Sequence, residues 1–353
     1  MWDRHTIRRK MNSLSRRAQW TWAPALPIRA WIVATSRCNL RCRTCPTHHP
    51  ADPRGPEHFE DMRPQIYERL RRGLLPALQE VYLSGGGEPF LAPIFYRMLD
   101  DMLDADKRVL VVTNGTIIRP DYLERLVRAP SQIRVSLDGT TPEVMDHMRP
   151  GARLDRVLEF MKTVKEIMDR SKHPAFEFQL SFVVTRSNVE QMTDCVELAH
   201  RYGVRTVAFG NFTIDGRTDE FARESLIQRP DVVLPHWERA YKRGLELGVL
   251  VPPTLVFLGN EGSGKDIDQQ RPDLCNSSGR IKHCPIPWWY TYIEVDGTVK
   301  PCCAFLEGGH LGNLREQSFR EIWNGPKYRE LRRTVNTPDM PAICKHCTIP
   351  VRI

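Results

Sequence analysis

Between residues 30 and 212, short runs of β-branched and aromatic residues alternate with longer stretches in which apolar positions recur at helical spacing. The short runs predict strands at 31–35, 80–84, 108–113, 133–137, 177–185 and 206–209. The longer stretches predict helices at 63–75, 93–105, 120–127, 154–170 and 189–202. Six strands, each followed by a helix or by a loop leading to one, imply a parallel sheet with right-handed crossovers. Curled up, such a sheet is a partial barrel, so the expected fold class is α/β with a partial (β/α)6 TIM-like barrel. In such folds reacting groups gather at the carboxyl ends of the strands.

After Asn211 the pattern breaks. Residues 213–235 are charged and turn-rich, 237–247 read as an amphipathic helix, and 259–279 are polar with Gly and Ser, as a mobile connector would be. Residues 290–295 and 298–300 then flank Asp296-Gly297, the dipeptide of a type I′ hairpin. This reading divides the chain into a basic arm (1–29), a barrel core (30–212), a connector with a helix and a mobile loop (213–283), and a small C-terminal α+β unit (284–353). A length of 353 residues suits two packed units.

No apolar stretch approaches the ~20 residues that span a bilayer, and the N-terminus lacks a signal peptide's apolar core, so no membrane role and a cytoplasmic location are expected. Arg4, Arg8, Arg9, Lys10, Arg16 and Arg17 supply much of the net charge of +8. Little among them can stack on bases, so this arm reads as a solvated helix docked by Trp20 and Trp22, and nucleic acid is not an expected partner. Ten cysteines in a chain that is not exported point to metal or catalytic use.

Cys38, Cys42 and Cys45 stand just after the apolar run Trp31-Ile-Val-Ala34, separated by three residues and then two. One short loop can therefore offer three thiolates. A four-iron four-sulfur cluster that only transfers electrons normally has four cysteines. Three would leave one iron free for a small molecule, as a catalytic metal keeps an open position. A triplet alone also suits a zinc loop. Ser84-Gly-Gly-Gly-Glu-Pro89 closes the second predicted strand, and its glycines permit close backbone approach and positive φ. Thr113-Asn-Gly115 ends the third and Ser136-Leu-Asp-Gly139 the fourth. Ser136 and Asp138, two apart, would point the same way, or Asp138 could merely terminate the strand in an Asx turn. Val183-Val-Thr-Arg-Ser-Asn188 ends the fifth.

In this order the segments resemble those of the radical S-adenosylmethionine (SAM) superfamily. The resemblance implies that SAM is chelated on the free iron through its amino and carboxylate groups. Injecting one electron into the sulfonium then yields methionine and a 5′-deoxyadenosyl radical, which takes a hydrogen atom from an unactivated C–H bond. It implies further that Cys38, Cys42 and Cys45 hold the first cluster and that Gly86, Gly87 and Glu88 meet the methionine amino group. Asn114, Ser136 and Asp138 are the remaining SAM candidates, with Ser136 and Asp138 assigned to its ribose or carboxylate and the 183–188 segment adding contacts. One departure is Thr44, where many members place an aromatic residue that packs on adenine. Arg149, Arg153 and Asp146 are substrate-contact candidates by location, while His48 and His49 read as solvated loop residues.

Cys284 and Cys302 lie near the outer ends of the predicted hairpin, and Cys344 and Cys347 form a Cys-x2-Cys pair with His346 between them. With Gly312-Asn-Leu314 and Ser318-Phe-Arg-Glu-Ile-Trp-Asn-Gly325, this region resembles the SPASM/twitch extension of radical SAM enzymes. Full extensions carry seven cysteines and two auxiliary clusters, whereas Cys275, Cys284, Cys302, Cys303, Cys344 and Cys347 number six. The implied complement is two [4Fe-4S] clusters and SAM, the auxiliary cluster being held by Cys284, Cys302, Cys344 and Cys347. A four-cysteine zinc site is the alternative, and iron content separates the two. Cys303 and Cys275 are candidate hydrogen-atom donors, whereas Cys195 reads as a buried apolar residue. The implied partners are a small-molecule substrate and an electron donor such as flavodoxin or ferredoxin. The expected activity is dehydrogenation or epimerisation at a carbinol carbon of a sugar or aminocyclitol, with radical modification of a ribosomal peptide or protein side chain as the alternative. A nonenzymatic zinc- or nucleic-acid-binding protein is the reading from another class.

Overall fold

The β-branched runs line up as neighbouring strands of one sheet. The computed structural model describes residues 4–50, 55–171, 173–212, 220–252, 284–303 and 309–345. In it β1 (Arg29–Ile32), β2 (Glu80–Leu83), β3 (Arg108–Thr113), β4 (Ser131–Ser136), β5 (Glu177–Val184) and β6 (Thr206–Asn211) lie side by side in chain order. Each pairs in parallel with the next. Between them run α2 (Pro64–Gly73), α3 (Pro93–Asp104), α4 (Pro120–Val127), α5 (Pro142–Met148), α6 (Leu154–Ser171) and α7 (Met192–Arg201), after the N-terminal α1 (Arg4–Arg17). A proline at the first position starts α2 to α5, where its missing N–H would have had no helical partner.

Strand alternation decides which face is apolar. In β5 Phe178, Leu180, Phe182 and Val184 are buried, and they share one apolar core with Leu70, Phe95, Leu123, Phe160 and Val196 of the helices. The opposite, lumen face carries half-buried Glu177, Gln179, Ser181 and Val183. Trp31, Tyr82, Arg134 and Ser136 continue that face on β1, β2 and β4. A closed TIM barrel fills its lumen with branched aliphatic side chains. This partial barrel lines it with aromatic and hydrogen-bonding groups. At the amino-terminal end Glu80 pairs with Arg29 (3.2 Å) and Arg108 (3.4 Å), and Arg108 reaches Glu177.

The predicted hairpin forms, as β7 (Tyr290–Ile293) and β8 (Thr298–Lys300), with β9 (Gly312–Asn313) beside it. Its position is a finding of the tertiary structure: β7 pairs in parallel with β1, in the register Arg29↔Tyr290 and Trp31↔Tyr292. Among the described residues the sheet therefore has nine strands, ordered β6-β5-β4-β3-β2-β1-β7-β8-β9.

Two expectations need correction. Helix α8 (Pro230–Leu247) starts seven residues before the predicted 237, because Pro235 stands inside the helix instead of ending the loop before it. Trp20 and Trp22 remain 43% and 53% exposed. The arm is docked instead by its backbone and two arginines: Trp288 Nε1 donates to Trp20 O (2.9 Å), Trp323 Nε1 to Ala25 O (2.9 Å), Asn324 pairs with both polar groups of Ala23, and Arg8 and Arg9 donate to Pro76 O (2.7 Å) and Gln79 Oε1 (2.6 Å). Among the described residues no helix is long and apolar enough to cross a membrane. The expected mobile loop at 259–279, together with Cys275, lies outside the described residues, as do His346 and Cys347.

Candidate active site

The cysteine loop leaves the carboxyl end of β1 and is held from two sides. On one side lies the glycine turn after β2. Gly85 and Gly86 have φ of +95° and +72°, which glycine adopts without strain. A Cβ on Gly87 would lie 2.0 Å from Arg37 O, and Glu88 N donates to that same carbonyl (2.8 Å). The close approach that these glycines allow is thus to the cysteine loop itself. On the other side Arg41 N donates to Pro150 O (3.4 Å) and Arg43 N to Met148 O (3.0 Å).

Whether the loop suits an iron–sulfur cube is tested by its sulfurs. Among the described residues no three His, Cys, Asp or Glu side chains close around one metal ion. Cys42 and Cys45 nevertheless lie near enough to Cys38, and Cys45 near enough to Cys42, to add to the rise that burial causes in the Cys38 and Cys42 thiols. Three thiols of one short loop, within electrostatic reach of one another but not gathered on one ion, match a cluster in which each meets a different iron. Leu40 N donates to Cys38 Sγ (3.5 Å), Thr47 N and His48 N to Cys45 Sγ (3.3 and 3.1 Å), and Arg149 Nη1 to Cys42 Sγ (3.6 Å). Burial pushes the Cys38 thiol up to about 11 and raises that of Cys42, so metal must displace protons from both. The donor set fits the cluster.

Glu88 is buried, and burial pushes its carboxyl up to about 7 despite three donors: Thr113 Oγ1 (2.7 Å), Asn114 N (2.7 Å) and Phe90 N (3.3 Å). Asn114 donates through Nδ2 to Asn39 Oδ1 (2.9 Å) and so ties the end of β3 to the cysteine loop. Ser136 is half-buried on the lumen face, 3.4 Å from Ser181 Oγ.

Asp138 does not share the exposure of Ser136. It is fully buried, its Oδ1 accepting from Val183 N (2.8 Å) and its Oδ2 from Arg149 Nε (2.7 Å). The carboxylate thus holds Arg149. Asn188, from the 183–188 segment, donates to Asp138 O and Val183 O (2.9 Å each) and is buried too. Of the three residues singled out after β4, Arg149 turns inward, whereas Asp146 is exposed and Arg153 pairs with Asp155 at the surface. His48 is buried rather than solvated: its ring lies 4.2 Å from that of Phe59, with Nδ1 near Arg41 Nη1 (3.0 Å) and Nε2 near Ser36 O (2.7 Å). A guanidinium only donates and a carbonyl only accepts, so His48 is the neutral tautomer with its proton on Nε2.

An aromatic wall that sequence reading missed joins this loop to the C-terminal hairpin. Trp31 stacks on Tyr82 (5.3 Å) and Tyr292 (6.0 Å), and its Nε1 donates to Ser84 O (2.6 Å) beside the glycine turn. The hairpin pairs Tyr292 with Lys300, two residues before Cys302, and the phenol of Tyr290 at the start of β7 is raised first by burial and then by Cys303, with Cys302 adding to it. The signal was the strand alternation that puts Trp31 and Tyr82 on one face. Cys284 N donates to Asn336 Oδ1 (2.7 Å), Cys302, Cys303 and Cys344 are half-buried, and Cys195 is buried in α7.

Comparison with known proteins matches residues 32–176 to the radical SAM superfamily and residues 284–348 to SPASM, an iron–sulfur cluster-binding domain. An AdoMet-dependent heme synthase of Methanosarcina barkeri is 27% identical over 90% of this chain and 88% of its own. The antilisterial bacteriocin subtilosin biosynthesis protein AlbA of Bacillus subtilis is 26% identical over 91% of this chain and 64% of its own. The structure of Streptococcus suis SuiB bound to precursor peptide SuiA superposes with a TM-score of 0.65 at 18% identity, covering 92% of this chain and 70% of SuiB.

Proposed function

The chain belongs to the radical SAM superfamily and carries a C-terminal SPASM domain, and from that premise we propose that it oxidises a substrate seated in the barrel lumen by removing a hydrogen atom from an unactivated carbon. SAM and the iron–sulfur clusters, when bound, supply a one-electron cleavage of the sulfonium, a carbon-centred radical and an electron acceptor. Cys38, Cys42 and Cys45 would hold the first cluster, and Glu88 would take the methionine ammonium. Cys284, Cys302, Cys344 and Cys347 would hold one auxiliary cluster. The lumen wall positions the substrate, and such positioning is worth several kcal/mol in general.

The observation that carries this reading is the lining of the lumen. Trp31 and Tyr82 begin beside the glycine turn and lead through Tyr292 and Tyr290 to Cys302 and Cys303. A substrate against this wall would lie between the two metal sites. Arg134 Nη2 donates to Gln179 Oε1 (2.9 Å) on the same face, with Ser136 and Ser181 above them. This hydrogen-bonding row suits a hydroxylated small molecule of the sugar or aminocyclitol type, oxidised at a carbinol carbon. A precursor peptide is the second reading, favoured by the likeness to AlbA and to SuiB.

The test is incubation of reduced holoprotein with SAM, a low-potential donor such as flavodoxin, and carbon-deuterated polyols, aminocyclitols or peptides. Deuterium in 5′-deoxyadenosine together with a ketone supports the first reading, and deuterium from the peptides alone moves the assignment to the second. Solvent deuterium retained at carbon would mean epimerisation, with Cys303 as the donor to replace by Ala. Absence of SAM cleavage rejects the proposal.

A further inference from the structure

We propose that Arg149 raises the reduction potential of the first cluster by donating to Cys42 Sγ, with Asp138 as its anchor. This rests on the reading of Cys38, Cys42 and Cys45 as that cluster's ligands. Cys38 and Cys45 receive backbone N–H groups, whereas Cys42 receives a guanidinium.

Local backbone pairing places the two side chains together. Arg41 and Arg43 bracket Cys42 and bond to Pro150 and Met148, which bracket Arg149. The loop and the segment after α5 thus face each other with Cys42 and Arg149 between the paired residues. Orientation is set by Asp138. Its Oδ2 accepts from Nε and Nη2 of Arg149 (2.7 Å each), which leaves Nη1 directed at the sulfur (3.6 Å). The carboxylate cannot follow the guanidinium outward, because its other oxygen is held by Val183 N at the end of β5. Were Arg149 to leave, Asp138 would remain as an unpaired charge at 0% exposure, which is strongly unfavourable.

Arg149 itself is 9% exposed, so solvent and salt screen its charge little. Nη1 of Arg149 bonds the sulfur itself, whereas the Asp138 carboxylate bonds the guanidinium and Val183 N. Reduction adds a negative charge to a cluster and its thiolates. A fixed cationic donor on one sulfur stabilises the reduced form more than the oxidised form, and hydrogen bonds to sulfur are an established lever on cluster potential. Arg149 acts through Cys42 and is a positioning residue for electron entry, not a substrate contact.

The test is an EPR-monitored redox titration of the full-length holoprotein, following the signal that SAM perturbs. In Arg149→Met the reduced-to-oxidised ratio of that cluster at fixed potential should fall about tenfold, a downward shift of about 59 mV, with iron content unchanged. Arg149→Lys should recover part of the shift. An unchanged potential with weakened SAM binding would overturn the proposal and make Arg149 a SAM ligand. If Arg149→Met does not load iron, wild-type protein labelled with guanidino-¹⁵N arginine decides: nitrogen coupling to the reduced cluster is required, and its absence rejects the idea. Absence of any SAM-sensitive cluster would instead reject the reading of the cysteine loop.

Discussion

Glu88 is a buried carboxyl whose ordinary pKa is pushed up to about 7 by burial, against the pull of Asn114 N and Thr113 Oγ1. Because the folded value lies above the unfolded one, the unfolded chain loses this proton first as pH rises. The site's stabilising share is complete below the unfolded pKa of about 4.5 and disappears as pH passes through 7, a loss on the order of 3 kcal/mol. Glu88→Gln should therefore unfold at higher denaturant than wild type at pH 8 and match it at pH 5. A ligand ammonium placed here selects the carboxylate and expels the proton. SAM affinity should rise up to about tenfold per pH unit below 7 and level off above it, and calorimetry on Glu88→Gln should give weak binding with no such slope. Sequence placed Glu88 at a strand end. Its charge state depends on neighbours from β3 that only folding supplies.

At the scale of elements, two backbone contacts hold the cysteine loop: the glycine turn after β2 and the segment after α5. Gly87→Ala would force its Cβ onto Arg37 O, and overpacking against backbone costs ~3 kcal/mol. The apo chain should lose about that much in urea unfolding and bind iron poorly at the first site. Gly210→Ala, with nothing near its Cβ, should change stability by less than about 0.5 kcal/mol. Equal effects of the two would show that close packing of turn on loop is not what holds the site. The strands were legible because alternation or an apolar run marks each of them, as in Phe178, Leu180 and Phe182 against Gln179 and Ser181. Helix α5 was not, since seven residues beginning at Pro142 carry too little periodicity. With it went the inward turn of Arg149.

At the scale of the molecule, β1 is the hinge between barrel and hairpin, pairing with β2 on one side and β7 on the other. Arg332 locks that arrangement from the helix Pro326–Thr334. It is fully buried and donates to Pro287 O (2.9 Å), Thr21 O (3.0 Å) and Asn324 Oδ1 (3.2 Å), and it lies over the rings of Trp323 and Tyr328. Arg332→Ala leaves those carbonyls without their donor and a cavity beside two rings, at a cost of ~3 kcal/mol. Hydrogen exchange should then quicken at residues 20–26 and 286–293 while β3 to β5 keep their protection. Uniform loss of protection would mean that the arm and hairpin are not a separable unit.

What sequence alone determined is what local chemistry encodes: strands and helices from periodicity, the loop that offers three thiolates, and the glycine turn and hairpin from dipeptides that allow only certain φ. What tertiary structure decided is which distant groups meet. Arg149 reaches Cys42 across more than a hundred residues, β7 joins the open edge of β1, and Trp31 finds Tyr292. These contacts depend on burial and sheet register, which are properties of the packed chain and leave no periodic mark on any one segment.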